Sequence, residues 1–235
     1  MLPFEPYRRN LWRVIEGQYR PSTQKIVDTR AEQNRLEELL EASKPPVPED
    51  CVHLDYQFRT PFRYGRYPGS SRFRREGHTP GVFYAAEAPL TAAIESAWGL
   101  VKFYCASPDT PLPNTTTAHT AIQADIRVPI SIDLTHPDVA DTGDWTHPTD
   151  YTATTNFADQ VRAEGCEAIR YQSVRDPDRG MNVAVLTCRA FARPIPIALQ
   201  TWHVFLARSR VVLTNETLHQ DHEYQIAGQR FERPV

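Results

Sequence analysis

The sequence predicts an α+β fold in a single domain, residues 1–235. Segments with strand-like patterns outnumber those with helical patterns and do not alternate regularly with them, which argues against a doubly wound parallel sheet. No Gly-x-Gly-x-x-Gly sequence occurs at a strand-to-helix turn, so a Rossmann nucleotide site is not supported. With 235 residues, of which 40% are hydrophobic and 23% charged, the chain can bury a substantial core.

Net charge and hydropathy narrow the classes of partner. The formal net charge of −3 gives no signal for nucleic-acid binding by the whole chain. No uninterrupted apolar run approaches the roughly 18 residues that a membrane span needs, and the first residues lack the charged and apolar parts of a signal peptide. We therefore expect a cytoplasmic protein without membrane contact or direct nucleic-acid contact.

The cysteines and histidines give no metal-binding pattern. No two cysteines have the close spacing of a zinc knuckle or a redox pair, so we expect buried or indifferent thiols in a reducing compartment. His136 and His147 are each followed by proline but lack a third ligand at a useful spacing, and no metal site is predicted. The four cysteines are Cys51, Cys105, Cys166 and Cys188.

The first 50 residues are predicted to form an N-terminal helical layer (1–50) on the main domain. A short apolar segment, 11–15, indicates a strand. Thr29 and Glu32 fit a capping box that begins a helix extending to about Ala42, and a proline-rich stretch ends it. The leucines on one face of this helix are Leu36, Leu39 and Leu40.

An arginine- and glycine-rich segment near residue 70 is the candidate ligand-binding loop. Arginine guanidinium groups match phosphate or carboxylate, and glycine lets the backbone approach a ligand closely. Solvated surface arginines are the alternative explanation for this composition. The arginines are Arg63, Arg66, Arg72, Arg74 and Arg75, and the glycines are Gly65, Gly69, Gly77 and Gly81.

A buried strand and an unusually apolar helix are predicted after this loop. The run Gly81–Ala85 has the pattern of a buried strand, and Pro89 suits the first turn of a helix. Glu95 lies in that helix next to Ile94 and several alanines. A buried glutamate needs a partner, and arginine is the usual one. Glu95 is therefore the candidate acidic residue of the site, although a glutamate that only pairs within the fold is the structural alternative.

Strand patterns continue in the middle of the chain. Residues 118–128 alternate with the period of two that a strand requires, and 130–134 is a second short strand. The polar stretch 135–148 is predicted to be a long surface loop, and such loops are often lids or partner-facing segments. A helix is predicted from about Asp150 to Glu164.

The last third of the chain is predicted to be mostly β. Strands over 168–171 and 182–187 flank a turn at 176–180. Two further β segments belong to a C-terminal β extension predicted for residues 195–235, namely 201–207 and 210–214.

Three short motifs, in this order along the chain, resemble the RES domain family, which is named for an Arg, a Glu and a Ser. Arg72-Phe73 matches the family's Arg followed by an aromatic residue, and Glu95 matches its Glu. The segment 168–177 resembles the one that bears the family Ser, here Ser173. The resemblance implies a fold similar to the diphtheria-toxin type of ADP-ribosyltransferase, with a core of two packed small β-sheets and surrounding helices.

The resemblance also implies an NAD-consuming enzyme, an NAD+ glycohydrolase or NAD+ phosphorylase, with NAD as substrate and no cofactor. The nicotinamide–ribose bond breaks through an oxocarbenium-like state, and nicotinamide leaves without a general acid because its ring nitrogen is already cationic. The implied catalytic residues are Glu95 near the ribose, Arg72 at the pyrophosphate and Ser173 as an orienting polar group. Tyr84, as a flat surface for nicotinamide, and Arg63 complete the NAD-binding set.

Family context further implies a partner, since RES proteins commonly act as toxins that an Xre-type antitoxin with a helix-turn-helix neutralises. Two other functions stay open. A mono-ADP-ribosyltransferase would use the same site, although Ala93 stands where many arginine-modifying transferases carry a second acid. A non-catalytic module would bind an acidic protein or RNA through its arginines. Homo-oligomerisation is also left open.

Overall fold

The computed structural model describes residues 1–16, 26–64, 69–77, 80–107 and 109–234. Gly65 and Arg66 of the arginine- and glycine-rich segment lie outside these ranges. Within the described ranges, no helix is both long enough and apolar enough to cross a membrane.

The described strands join in one hydrogen-bonded network in the order β1-β2-β5-β4-β3-β6-β7-β8-β9. An additional pairing of β1 with β3 closes the first five strands into a ring. Among these pairings only that of β3 with β4 is parallel. The strands are β1 (Glu5–Glu16), β2 (Phe83–Ala86), β3 (Thr117–Asp133), β4 (Ala168–Gln172), β5 (Met181–Val185), β6 (Ala198–Leu206), β7 (Arg210–Asn215), β8 (Gln220–Ala227) and β9 (Arg230–Glu232).

Helices cover parts of this network, so the architecture mixes α and β as predicted. Two short 3-10 turns, 49–51 and 188–190, complete the regular structure of the described residues. The helices are α1 (Arg30–Ser43), α2 (Tyr56–Arg63), α3 (Pro89–Ala106), α4 (Pro137–Ala140) and α5 (Thr152–Ala163).

One long strand, β3, explains why a single network is found where two separate sheets were expected. One edge of β3 pairs with β1. Its other edge pairs with β6 over 117–123 and with β4 over 131–133, so the two halves of the network share this strand. The two short strands predicted here are continuous because the register shifts between Glu5 and Tyr7 of β1, which lets β3 accommodate Pro129.

The N-terminal region contributes both a central strand and an exposed helix. β1 is longer than the predicted segment and pairs along most of β3. The capping box of Thr29 and Glu32 is present, and α1 ends within two residues of the predicted end. However, none of the residues of α1 is buried, and Leu39 and Leu40 are 52% and 46% exposed. Most of the leucine face therefore stays exposed, and an ion pair between Glu41 and Arg63 joins the C-terminal end of α1 to α2.

Helix α3 is the element that positions the candidate site. Pro89 occupies its first turn as predicted, and three of its alanines and Ile94 are buried against the sheet. Burying one large apolar side chain stabilises a fold by about 1.5–3 kcal/mol. The rotation of α3 about its axis is thus set by Ile94 and its apolar neighbours, and this rotation directs Glu95 toward β4 and β5.

The cysteine prediction is wrong at two positions. Cys51 and Cys188 form a disulfide, with Cα atoms 5.3 Å apart and a sequence separation of 137. Each lies in one of the two 3-10 turns, which contact each other in the core. Sequence spacing identifies only cysteines that are close along the chain. It cannot identify a pair that folding brings together from distant segments. Cys105 is an exposed free thiol and Cys166 a buried one.

The C-terminal region extends the sheet beyond the two predicted segments. β6 and β7 agree with the prediction, whereas β8 and β9 were not predicted as separate strands because their sequences are polar and largely exposed. A two-residue turn, Gly228-Gln229, joins β8 to β9. Gly228 has φ +58°, a conformation that glycine adopts without strain.

Candidate active site

The predicted Glu and Ser motifs meet at one carboxylate. Glu95 of α3 is half-buried, and its Oε1 accepts a 2.7 Å hydrogen bond from the Ser173 hydroxyl and another, also 2.7 Å, from the side-chain amide of Asn182. Ser173 follows β4 and Asn182 lies in β5, so two neighbouring strands fix the carboxylate. Among the described residues, no hydrogen bond ends on Oε2, which leaves that oxygen for a ligand.

Ser173 is oriented by its own turn. It is buried, and its Oγ accepts hydrogen bonds from the backbone amides of Arg175 (3.2 Å) and Asp176 (3.0 Å). A serine hydroxyl has one hydrogen to donate, and here it is directed at Glu95. The hydroxyl of Ser173, predicted to be an orienting polar group, is thus held in contact with the carboxylate of Glu95.

The turn that carries Ser173 is locked against the start of α3. The Thr91 hydroxyl donates a 2.7 Å hydrogen bond to the buried carboxylate of Asp176. A Cβ atom at Gly180 would lie 2.1 Å from Thr91 Oγ1, so only glycine permits this approach. The Ser173 amide in turn donates to the Gly180 carbonyl at 2.8 Å. These contacts hold the ends of the turn together, with Ser173 facing Glu95.

A cavity of about 370 Å³ lies beside Glu95. A larger cleft, about 730 Å³, lies on the other side of the 173–179 turn, and Glu95 does not line it. We place the candidate site in the smaller cavity because it holds the fixed carboxylate together with arginines and aromatic rings. Its functional side chains are Arg13, Arg72, Tyr84, Glu95, Lys102, Tyr151, Tyr171, Arg175 and Asn182.

Arg72, the predicted cation, lines this cavity. It is 9% exposed, and its two terminal nitrogens donate to the backbone carbonyls of Trp145 (2.8 Å) and His147 (3.0 Å). Its guanidinium carbon lies 5.0 Å from the centre of the Tyr151 ring. Carbonyl oxygens orient a guanidinium without neutralising it, so Arg72 keeps its charge at the cavity wall.

Tyr84 also lines the cavity, with its hydroxyl already engaged. Its Oη lies 2.9 Å from Ser71 Oγ and accepts a 3.1 Å hydrogen bond from the Phe73 amide. Burial raises the pKa of Tyr84, so the hydroxyl stays neutral at physiological pH. The tyrosine thus holds the loop that carries Arg72 and is itself part of the cavity wall.

Two arginines of the cavity were missed by sequence reasoning. Arg13 of β1 donates to the Tyr84 carbonyl at 2.9 Å and stacks on Phe83, yet its Nε is buried without a partner among the described residues. Burial lowers its pKa to about 10. Arg175 lies two residues after Ser173 and is 5% exposed. In the sequence, Arg13 stands out only as a charged residue within an apolar strand, and Arg175 only by its place beside the Ser motif. Neither feature is specific for a binding site.

Other predicted residues lie elsewhere. Arg63, at the end of α2, faces α1, where it pairs with Glu41 at 2.5 Å and donates to the Pro45 carbonyl, so the structure does not bring it to the NAD-binding set. In the 135–148 loop, His136 and His147 accept hydrogen bonds from backbone amides through Nδ1. That loop is partly packed in the core, with Val139 fully buried.

Comparisons with known proteins agree with the motif arrangement. The family model described as RES domain matches residues 47–207. No curated protein matches the sequence. A chain of the M. tuberculosis MbcT-MbcA toxin-antitoxin complex is similar in structure, with a TM-score of 0.46 and 11% identity over 83% of this chain and 85% of that chain. A structural similarity at this level carries no argument about function.

Proposed function

The chain belongs to the RES domain family, and on that premise we propose that it is an NAD-degrading toxin that cleaves the nicotinamide–ribose bond, by hydrolysis or by phosphorolysis. The observation that carries the proposal is the carboxylate of Glu95, fixed through one oxygen by Ser173 and Asn182 inside an arginine-lined cavity. The other oxygen is available to a substrate that develops positive charge.

The chemistry follows from that arrangement. As the bond to nicotinamide breaks, positive charge develops on the ribose while a neutral molecule leaves. A carboxylate already held in place stabilises this charge without reorganisation, and removing such a group typically costs about 3–4 kcal/mol of transition-state stabilisation. Water or phosphate then attacks the ribose. Glu95 acts on the transition state, and Ser173 acts through Glu95.

Substrate binding is assigned to the cations and rings of the cavity. Arg72 retains its positive charge among carbonyl oxygens and would bind the pyrophosphate. Arg13 also lines the cavity and is a second candidate for substrate contact. The Tyr84 ring would contact the nicotinamide. NAD is thus a substrate, and the reaction as proposed uses no cofactor and no metal.

A diphtheria-toxin type of ADP-ribosyltransferase fold is part of this proposal. It is supported by the strand β3, which is shared by a closed group of strands and an antiparallel extension. Transfer to an arginine acceptor is disfavoured because Ala93, the position of the missing second acid, is fully buried. A non-catalytic module for acidic partners is disfavoured because it would leave the carboxylate of Glu95, fixed by Ser173 and Asn182, without a role.

The biological setting is proposed from the family. The toxin would act in the bacterial cytoplasm and be neutralised by an Xre-type antitoxin. The observations on the cavity do not depend on whether the protein also forms homo-oligomers.

The decisive experiment is turnover of NAD by the purified protein, with and without inorganic phosphate, with products resolved by mass. Hydrolysis yields nicotinamide and ADP-ribose, and phosphorolysis yields nicotinamide and ADP-ribose 1″-phosphate. Glu95→Gln is the matched control for contaminating activity. If wild-type protein releases no nicotinamide from NAD in either condition, or if the ribose is found only on a macromolecule, the proposed activity is wrong.

A further inference from the structure

The C-terminal hairpin of β8 and β9 contacts two residues that line the candidate active site, although it lies outside the residues 47–207 that match the family model. Phe231 of β9 is 1% exposed and packs edge-to-face on Trp98 of α3, with ring centres 5.2 Å apart. Trp98 itself lines the cavity that holds Glu95, one turn further along the same helix. The hairpin is therefore packed against the helix that carries the carboxylate.

The hairpin turn also holds a cavity arginine. One terminal nitrogen of Arg175 donates to the Gln229 carbonyl in this turn, and the other donates to the Pro148 carbonyl. The guanidinium carbon lies 4.7 Å from the centre of the Trp98 ring. Arg175 is therefore fixed on three sides, by the hairpin, by the loop before α5 and by α3.

Arg175 forms no direct ion pair among the described residues. Its two terminal nitrogens bond carbonyl oxygens, and the carboxylate of Glu95 acts on it electrostatically from within the cavity, whereas Arg170 and Arg233, in the same half of the chain, bond carboxylates directly. Arg72 is held in a similar way, because its terminal nitrogens donate to the backbone carbonyls of residues 145 and 147. One short segment, 145–148, thus helps to orient two charged guanidinium groups at one cavity. Two such charges at a buried site match a ligand with two negative charges close together.

We propose that Arg175 is a second pyrophosphate-binding residue and that the C-terminal hairpin, through the Gln229 carbonyl, positions it. The inference rests on the proposed function, because the pyrophosphate is that of NAD. It assigns the hairpin to the substrate site and makes the site selective for dinucleotides over nicotinamide riboside, which has the same scissile bond and no phosphate. Since Arg175 contacts the ligand before and during bond cleavage alike, its loss should raise KM and leave kcat nearly unchanged.

The test moves the Gln229 carbonyl without removing any side chain. Inserting Gly-Ser between Gly228 and Gln229 lengthens the two-residue turn, and the same insertion between Leu218 and His219, in the turn joining β7 to β8, is the matched control. We expect the first insertion to raise the KM for NAD and the Kd for ADP-ribose about tenfold, the usual effect of losing one charged hydrogen-bonding group. The control insertion should behave as the wild type, and Arg175→Ala should match the first insertion.

Further readouts keep the outcomes distinct. ADP-ribose binding, measured by calorimetry, needs no turnover, so it tests Arg175 even if wild-type protein fails to cleave NAD and the proposed function falls. If the insertion after Gly228 lowers the melting temperature well below that of the control insertion, its binding data are set aside. The ADP-ribose affinities of Arg175→Ala and Arg175→Lys then provide the test. Wild-type ADP-ribose affinity in Arg175→Ala would overturn the inference, as would a fall in kcat at unchanged KM.

Discussion

The Ser173 hydroxyl donates a 2.7 Å hydrogen bond to the carboxylate of Glu95, across 78 residues of sequence. The contact joins the second and third motifs of the family in one hydrogen-bonded unit. Ser173 is itself held by two backbone amides of its turn, so the geometry of the turn is transmitted to the carboxylate. A carboxylate that is already oriented in this way needs little reorganisation when positive charge develops beside it.

Neutralising Glu95 should abolish turnover without unfolding the protein. A glutamine oxygen can still accept from Ser173 and Asn182, so Glu95→Gln keeps both hydrogen bonds and loses only the charge. We expect kcat to fall about a hundredfold to a thousandfold, with the melting temperature and NAD affinity close to those of the wild type. All three are measured on one preparation. Near-normal turnover in a folded variant would remove Glu95 from the mechanism.

Ser173→Ala should impair turnover through Glu95. The change frees the carboxylate on one side and deprives two buried amides of their acceptor, so we expect a loss of about 1–3 kcal/mol of stability. Misplacing Glu95 should lower kcat about tenfold to a hundredfold.

A double-mutant cycle isolates this role of Ser173. In the Glu95→Gln background, Ser173→Ala should add little further loss of kcat, because the two residues act as a unit. Full additivity of the two effects would show that Ser173 acts independently of Glu95.

Arg72→Ala should raise KM more than it lowers kcat. A cation held against pyrophosphate acts in the ground state and the transition state alike, so we expect an increase in KM of about tenfold to a hundredfold. Stability should also fall, since the carbonyls of Trp145 and His147 lose their donor. Arg75→Ala is the matched control, because Arg75 pairs with Asp159 at the surface and does not line the cavity. Should Arg75→Ala be the damaging change, the register of the first motif is wrong.

Local signals in the sequence predicted most elements of the fold. The capping box at Thr29, the proline that begins α3 and the glycine that follows α5 are short-range devices, and each lies where its pattern indicated. What the sequence could not reveal depends on pairing between distant segments. The strand β3 became continuous because β1 supplies the compensating register shift, and the partner of Cys51 is 137 residues away.

The site was predictable to the extent that the family motifs mark it. Glu95 and Ser173 were found as residues, but their direct contact was not, because it depends on how α3 packs beside β4 and β5. Arg63 was included for its composition alone, and the fold turns it toward α1. Arg13 precedes the matched region and Arg175 lies within it, and nothing local in the sequence distinguishes either from a surface arginine.

Stability should fall at mildly acidic pH because of His119. Burial lowers the pKa of this residue, which is 2% exposed, below its ordinary value of 6.5. Below that value the unfolded chain binds a proton that the folded protein resists, so the free energy of unfolding decreases as pH falls. Melting curves of wild type and His119→Gln between about pH 7.5 and 5.5 test this, and the wild type should lose more stability. Identical pH dependence in both proteins would contradict the assignment to His119.

Reduction of the Cys51–Cys188 disulfide should destabilise the fold while leaving the site intact. The bond closes a long loop across 137 residues, and a native disulfide of this kind contributes about 2–4 kcal/mol by restricting the unfolded chain. We expect a lower melting temperature on adding reductant and in Cys51→Ser, with no effect of reductant on Cys51→Ser itself. Cys105→Ser removes an exposed free thiol and serves as the control.

Thiol labelling counts the free cysteines independently of the stability measurement. Native protein at pH 8 should react at Cys105 and resist at Cys166, because burial raises the pKa of that thiol to about 11. Denatured, unreduced protein should show those two thiols, and reduction should expose two more. Four reactive thiols without reductant, together with a melting temperature that reductant does not change, would show that Cys51 and Cys188 are unpaired in solution.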